Sequence, residues 1–228
     1  GQEKDVQDLT RDLGNLGFYN ARVQEIIKNQ EISGRKFVTH VFKVKCLSKE
    51  LFNLMKSKGV PVGAKKSQKY LVPDWITNGV LAIKREFLRG FLGGDGPKVD
   101  VLMVKREKGL PYNHVSLNDL EFHKDYLLER SGIQLAREIA DLLREFAVTV
   151  TKVFAERDSY VRDDGQKSSI IHLSFKHDFE TALNLVTRLG YAYAWQKESR
   201  SQLVGEFLRQ IFFLRERWQT LYKNSLEL

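Results

Sequence analysis

The chain has 228 residues, 42% apolar and 11% aromatic, which is enough to bury a core and excludes a disordered tail as the main product. Lys and Arg number 37 against 29 Asp and Glu, and the net charge of +8 favours a polyanionic partner, nucleic acid before an acidic membrane. The single cysteine, Cys46, excludes an intramolecular disulfide framework and a Cys-rich zinc module. No apolar run nears the about 20 residues of a membrane span and no signal peptide opens the chain, so the sequence predicts an intracellular protein of unspecified compartment with no membrane partner.

In chain order, apolar residues three and four apart predict a helix over 6–16, and a β-rich run predicts a strand over 21–27. The Ser33-Gly34 turn leads to a strand over 36–45, then a helix over 48–58 stopped by Gly59. After a loop containing Val72-Pro73-Asp74-Trp75, the residues Ile83, Phe87, Leu88, Phe91 and Leu92 form one helical stripe. Strands over 99–105 and 113–119 flank Gly109-Leu-Pro-Tyr as a hairpin. A helix over 135–146, strands over 149–156 and 168–176, and a helix over 179–189 stopped by Gly190 follow. Leu203, Phe207, Ile211, Leu214 and Trp218 mark a last helix over 202–222, whose spacing suits core or partner packing better than a membrane surface. The pattern is α+β with antiparallel pairing.

The chain also repeats itself. Leu9, Leu13, Leu16, Phe18 and Val23 fall on Ile139, Leu143, Phe146, Val148 and Val153 at an offset of 130 residues. FNLMKSKG (52–59) falls on LNLVTRLG (183–190) at an offset of 131, and Lys66 falls on Lys197 at that same offset. Residues 5–70 and 135–200 therefore read as two copies of one unit. The second copy is preceded by a helix and a hairpin, whereas the first lacks that front end. The organisation is residues 1–80 as the remainder of repeat 1 (helix, strands, helix, linker), 81–199 as repeat 2, and 200–228 as a C-terminal helix.

Residues 83–96 read IKREFLRGFLGGDG. Gly90 and Gly94 lie on one helix face, where each glycine costs about 1 kcal/mol against alanine; close backbone approach to another helix would explain them. Asp95 sits where the helix should end, an unfavourable place for a carboxylate. The residues alone leave two readings open: Asp95 serves a Gly-Asp-Gly turn, or it holds a divalent cation that reverses the sign of the interaction.

LRGFLGGDG resembles the signature of the LAGLIDADG homing endonuclease family, with Leu88, Gly90, Leu92, Asp95 and Gly96 fitting the pattern and Arg89, Gly93 and Gly94 departing from it. The upstream VPDWI and KREFLRG resemble the linker of intein-encoded members. The resemblance covers nearly the whole chain and implies LAGLIDADG-type αββαββα pseudo-repeats forming antiparallel saddle sheets, the first repeat truncated at its N-terminus. It implies Asp95 as metal ligand with the Gly96 carbonyl assisting, Mg²⁺ or another divalent cation as cofactor, and Lys66 and Lys197 as basic residues near the metal water. The family carries two motif helices packed together. The repeat places the absent one about 47 residues before Gly1, so a missing first-motif segment or a second copy of the chain is expected beside Gly90 and Gly94.

DNA contacts are expected on the outer faces of the strands, where a two-stranded ribbon fits the major groove. The hairpin offers Lys98, Asp100, Arg106, His114, Ser116 and Asn118, with Val99, Val101 and Met103 facing inward. The other strands offer Arg22, Lys43, Lys45, Lys152, Lys167, His172 and Lys176. Each lysine or arginine taken singly is more often solvated surface than contact; their gathering on strands rather than helices is the informative part. The five histidines and Cys46 show no zinc spacing, no nucleotide-binding glycine loop is present, and Gly1 and Leu228 supply neither the nucleophile nor the Asn of protein splicing. The expected function is a site-specific double-stranded DNA homing endonuclease domain, a metal-dependent hydrolase from an intein or intron element. The alternatives are a non-catalytic nucleic-acid-binding protein on the same scaffold (an intron-splicing cofactor or a decayed endonuclease) and an interaction domain whose basic charge is incidental.

Overall fold

The structure is a computed structural model that describes residues 2–32, 34–104, 112–161, 165 and 167–226. It opens with helix α1 (Glu3–Asn15), where Val6 and Leu13 turn inward, and a hairpin of β1 (Arg22–Ile32) and β2 (Arg35–Lys45) on which α1 packs. The pair runs antiparallel in continuous register from Arg22 opposite Lys45 to Ile32 opposite Arg35, and neither strand has a further neighbour among the described residues. Helix α2 (Lys49–Ser57) follows, with Ser48 as its N-cap accepting the Leu51 amide at 3.0 Å. Gly59 follows its C-cap Lys58, and Gly190 closes the helical turn over 185–189; both take positive φ, +86° and +73°, which makes glycine the fitting residue at each stop.

A short helix α3 (Asp74–Thr77) leads into α4 (Leu81–Asp95), the motif helix, which buries Leu88, Leu92 and Gly93. Strands β3 (Val99–Val104) and β4 (Tyr112–Leu117) pair as the expected hairpin, and Val99 and Leu117 at the start of that register are both buried. The sequence did not announce β5 (Leu120–Asp125). It pairs with β7 (Lys167–Phe175), which pairs on its other side with β6 (Val150–Val161), giving a three-stranded antiparallel sheet ordered β5-β7-β6. Three strands, β3, β4 and β5, therefore precede helix α5 (Glu129–Glu145) where two were expected, while β6 and β7 follow it as the expected pair.

Helix α5 lays Leu135, Ala136, Ile139, Ala140 and Leu143 against Ile171, Leu173 and Phe175. Fully burying one such leucine or isoleucine contributes about 1.5–3 kcal/mol. Helix α6 (Phe179–Asn184) is capped by Asp178, which accepts the Thr181 amide at 2.8 Å, and runs into a π-helical turn over Leu185–Leu189. Helix α7 (Trp195–Leu226) closes the chain; its first half buries Val204 and Leu208, and its second half leaves Phe213, Leu214 and Trp218 exposed.

The fold is α+β with small antiparallel sheets. Its main core runs from Val72 to Leu208; within residues 1–70 only Val6, Leu13 and Ala21 are buried apolar residues among those described. Among the described residues no helix is long and apolar enough to cross a membrane.

Candidate functional site

The C-terminus of α4 is a densely bonded polar point of the structure. Gly96 caps the helix by donating its N–H to the Leu92 carbonyl at 2.9 Å. Lys197, the third residue of α7, reaches into that ring: its Nζ lies 3.2 Å from the Leu92 carbonyl oxygen, 3.0 Å from Gly93, 3.3 Å from Gly94 and 2.8 Å from Gly96. A cation at the negative end of a helix is the favourable pairing. Partial burial depresses the Lys197 pKa, Asp95 opposes that shift, and the neighbouring Lys98 adds to it. Asp95 itself is exposed, and its field also reaches the half-buried Tyr70, whose pKa is raised first by burial and then by that carboxylate.

The donor set does not fit a divalent ion as the chain stands. Asp95 is one exposed carboxylate, the Gly96 carbonyl is already bonded by an ammonium, and among the described residues no three His, Cys, Asp or Glu side chains gather closely enough to hold a metal. Lys66 stands half-buried in a 3₁₀ turn over Lys65–Ser67, and the carbonyls of Lys65 and of Gln68 just after it accept from Lys124, at 2.9 and 2.8 Å. Gly90 and Gly94 face open space: nothing lies within 4 Å of where a methyl group on either would sit, so no described helix packs on them. The close-packing glycine is Gly93, which meets the Ala192 carbonyl.

The expected nucleic-acid residues separate into two unlike faces. On β1–β2, the register puts Arg22, Gln24, Ile26, Lys28 and Gln30 on one face with Lys45, Lys43, Val41, Thr39 and Phe37. That face carries Arg22, Lys28, Lys43 and Lys45, all exposed, and no carboxylate. Lys28 escapes the sequence reading because the predicted strand ends at Ile27; the alternation 22, 24, 26, 28 is the signal that finds it.

Among the described residues, the outer face of β5-β7-β6 sets carboxylates around His172, where the sequence predicts a free DNA-contacting side chain. His172 is buried, with Nδ1 3.3 Å from Glu121 and Nε2 3.1 Å from Glu156, and its ring stacks on Phe154 at 4.7 Å. Ser174 donates to Asp119 at 2.7 Å, and Asp125 stands opposite Ser168 on that same face. Lys152 lies over the Phe154 ring at 4.3 Å. Lys176 is held by Asp178 at 2.6 Å, a hydrogen bond that raises its pKa, while Lys167 is exposed.

On the hairpin, Asp100 pairs with Arg200 of α7 at 3.0 Å and so turns to that helix. Ser116 is half-buried, while Lys98 and Asn118 are exposed. Arg106 and the turn at 109–111 lie outside the described residues, as do the side chains of Met103 and His114.

No family model matches the chain, and no solved structure matches it significantly. Among curated proteins it is similar to the replication factor C small subunit of Methanocaldococcus jannaschii, 26% identical over 206 residues that make up 90% of this chain and 10% of that protein. It is 28% identical over 215 residues to the tRNA-splicing ligase RtcB of Pyrococcus furiosus, covering 92% of this chain and 20% of the ligase. It is 26% identical over 215 residues to the DNA-directed RNA polymerase subunit Rpo1N of M. jannaschii, covering 91% and 15%. The chain thus spans about a tenth to a fifth of the length of these relatives.

Four relatives carry the name tRNA-splicing ligase RtcB, at 26–29% identity. That finding corrects the expected function: the names point toward RNA ligation, and none of these relatives is named a nuclease, a homing endonuclease or an intein. The ligase name is that of an enzyme, but it belongs to proteins about five times the length of this chain.

Proposed function

We propose that the chain is a nucleic-acid-contacting module carried within a larger RNA-processing protein, and that it contacts its partner through the cationic face of β1–β2. One observation carries the reading: Arg22, Lys28, Lys43 and Lys45 share a strand face with the amide side chains of Gln24 and Gln30 and with no carboxylate. A ribbon with that face neutralises backbone phosphates and presents hydrogen-bonding side chains between them. The relatives support a portable module, since a similar stretch recurs in proteins bearing three different names and fills only 10–22% of each. Any ligation chemistry would lie with the larger protein, and RNA is the partner favoured by the four ligase names.

The LAGLIDADG-like scaffold is part of this proposal. Its support is the internal repeat, in which α1–β1–β2–α2 corresponds to α5–β6–β7–α6 in order and connection. The repeat mates differ in cover: Leu54 is 45% exposed where Leu185 is 0%, and Met55 is 40% exposed where Val186 is 9%. A 660 Å³ apolar groove also runs beside α4, lined by Tyr70, Pro73, Trp75, Ile83, Phe87 and Phe91. A chain segment preceding residue 1, equivalent to α4 with its hairpin, is the occupant we propose for that groove and for the open Gly90 and Gly94 face.

The test is fluorescence anisotropy with a tRNA and with duplex DNA across a salt series. Binding to tRNA with an affinity that falls steeply with salt, weakened by Lys28→Ala and Lys43→Ala, supports the reading. A flat salt dependence, or duplex DNA bound and tRNA not, overturns it.

A further inference from the structure

The carbonyl ring at the end of α4 holds a cation of its own. Four carbonyl oxygens, from Leu92, Gly93, Gly94 and Gly96, lie 2.8–3.3 Å from the Lys197 ammonium, which has three protons to share among them. Gly93 and Gly94 sit in the last turn, where carbonyls lack a partner further along the helix, while the Leu92 carbonyl also accepts the Gly96 N–H. The ring keeps its shape through two glycines that admit no side chain: Gly93, pressed on the Ala192 carbonyl, and Gly96, whose methyl position is filled by the backbone of Leu92. The Lys197 stem is held beside it by the start of α7, near the ring of the buried Tyr191, whose hydroxyl donates to the Pro97 carbonyl at 2.8 Å just beyond the ring.

From this we infer that the α4 C-terminus is a monovalent-cation site which Lys197 fills from within the chain, so that the ammonium, and not a divalent metal, is the resident ion at the Gly96 carbonyl. Lys197 then acts as a positioning residue: it fixes the Gly93–Gly96 turn and with it the direction in which Asp95 faces solvent. The alternative use of the same carbonyls, as ligands to a divalent ion, requires Lys197 to withdraw.

Vacating the site leaves a ring of carbonyls sized for a small monovalent ion. Thermal unfolding of the full chain is compared for wild type and Lys197→Ala in ammonium, potassium and tetramethylammonium chloride at equal ionic strength. The expected result is a midpoint about 4–8 °C lower for the variant in tetramethylammonium. Ammonium or potassium, which fit the ring, should restore at least half of that loss, while the wild type is indifferent to the three salts. Three salts acting alike on the variant, or a variant as stable as wild type, overturns the inference. If Lys197→Ala does not fold, the wild-type ammonium group is read directly by ¹H–¹⁵N spectroscopy. A slowly exchanging Lys197 ammonium resonance that Mg²⁺ leaves in place supports the inference, and its absence or its loss on adding Mg²⁺ overturns it. None of these readouts depends on nucleic-acid binding, so the inference and the proposed function can fail separately.

Discussion

Gly93 and Ala192 meet backbone to backbone. The Ala192 N–H donates to the Arg89 carbonyl at 3.0 Å, and the Ala192 carbonyl occupies the space where a side chain on Gly93 would begin. The contact joins α4 to the segment just before α7. Gly93→Ala should therefore destabilise the chain by about 2–4 kcal/mol, since a backbone atom cannot step aside as a flexible side chain can. Urea unfolding measures the change.

Gly90→Ala should do the opposite in this chain. Nothing lies within 4 Å of its methyl position, so the variant gains helix propensity, about 0.5–1 kcal/mol, at no steric cost. In a longer polypeptide whose upstream segment fills the groove, the same substitution should lose stability. Measuring both lengths by urea titration checks the prediction.

Lys124 is fully buried and ties the 65–70 segment to β5. Its Nζ donates to the carbonyls of Lys65 and Gln68 and lies 3.8 Å from the Tyr70 ring centre. Burial depresses its pKa. Lys124→Met preserves the volume but strands two carbonyls, and should cost about 1–3 kcal/mol in chemical denaturation.

Tyr193 donates to Asp12 at 2.9 Å across 181 residues of sequence. Burial and that carboxylate raise its pKa from 10.0 to about 12. The unfolded chain therefore sheds this proton while the folded chain keeps it. The contribution is intact below pH 10 and is lost as pH rises from 10 to about 12. Unfolding titrations over that window should show a steeper decline for wild type than for Tyr193→Phe.

The two sheet faces should respond differently to charge. Removing Lys43 or Lys28 should lower the salt dependence of RNA affinity by about one unit of slope each. Glu121→Gln or Glu156→Gln, the two carboxylates beside His172, should leave that slope where it was. A filter-binding salt series separates the two.

Helices α1, α2, α5 and α6 and the strand pairs β1–β2 and β6–β7 were legible because their apolar spacing is regular: Leu135, Ile139 and Leu143 mark α5 as plainly as Leu9 and Leu13 mark α1. Strand β5 was not, because LEFHKD carries a charged residue at the inward position. Leu120, Phe122 and Lys124 do alternate toward the core, but a buried lysine reads as surface until its carbonyl partners are known. The cationic residues were found one at a time, and only strand register showed that those of β1–β2 share a face while His172 is enclosed by two glutamates. Lys197 was legible as the mate of Lys66, but its four carbonyl partners depend on how α7 meets α4, which no local pattern encodes.

The β1–β2 hairpin has both outer edges free of any described neighbour, and such a pair alone is marginal in water. Its amides should accordingly exchange with deuterium long before those of β7, which is hydrogen-bonded on both sides. The end of the molecule that presents the cations is thus the end that opens first, so binding a polyanion would slow local unzipping there while leaving the global unfolding rate of the α5–β7 core unchanged.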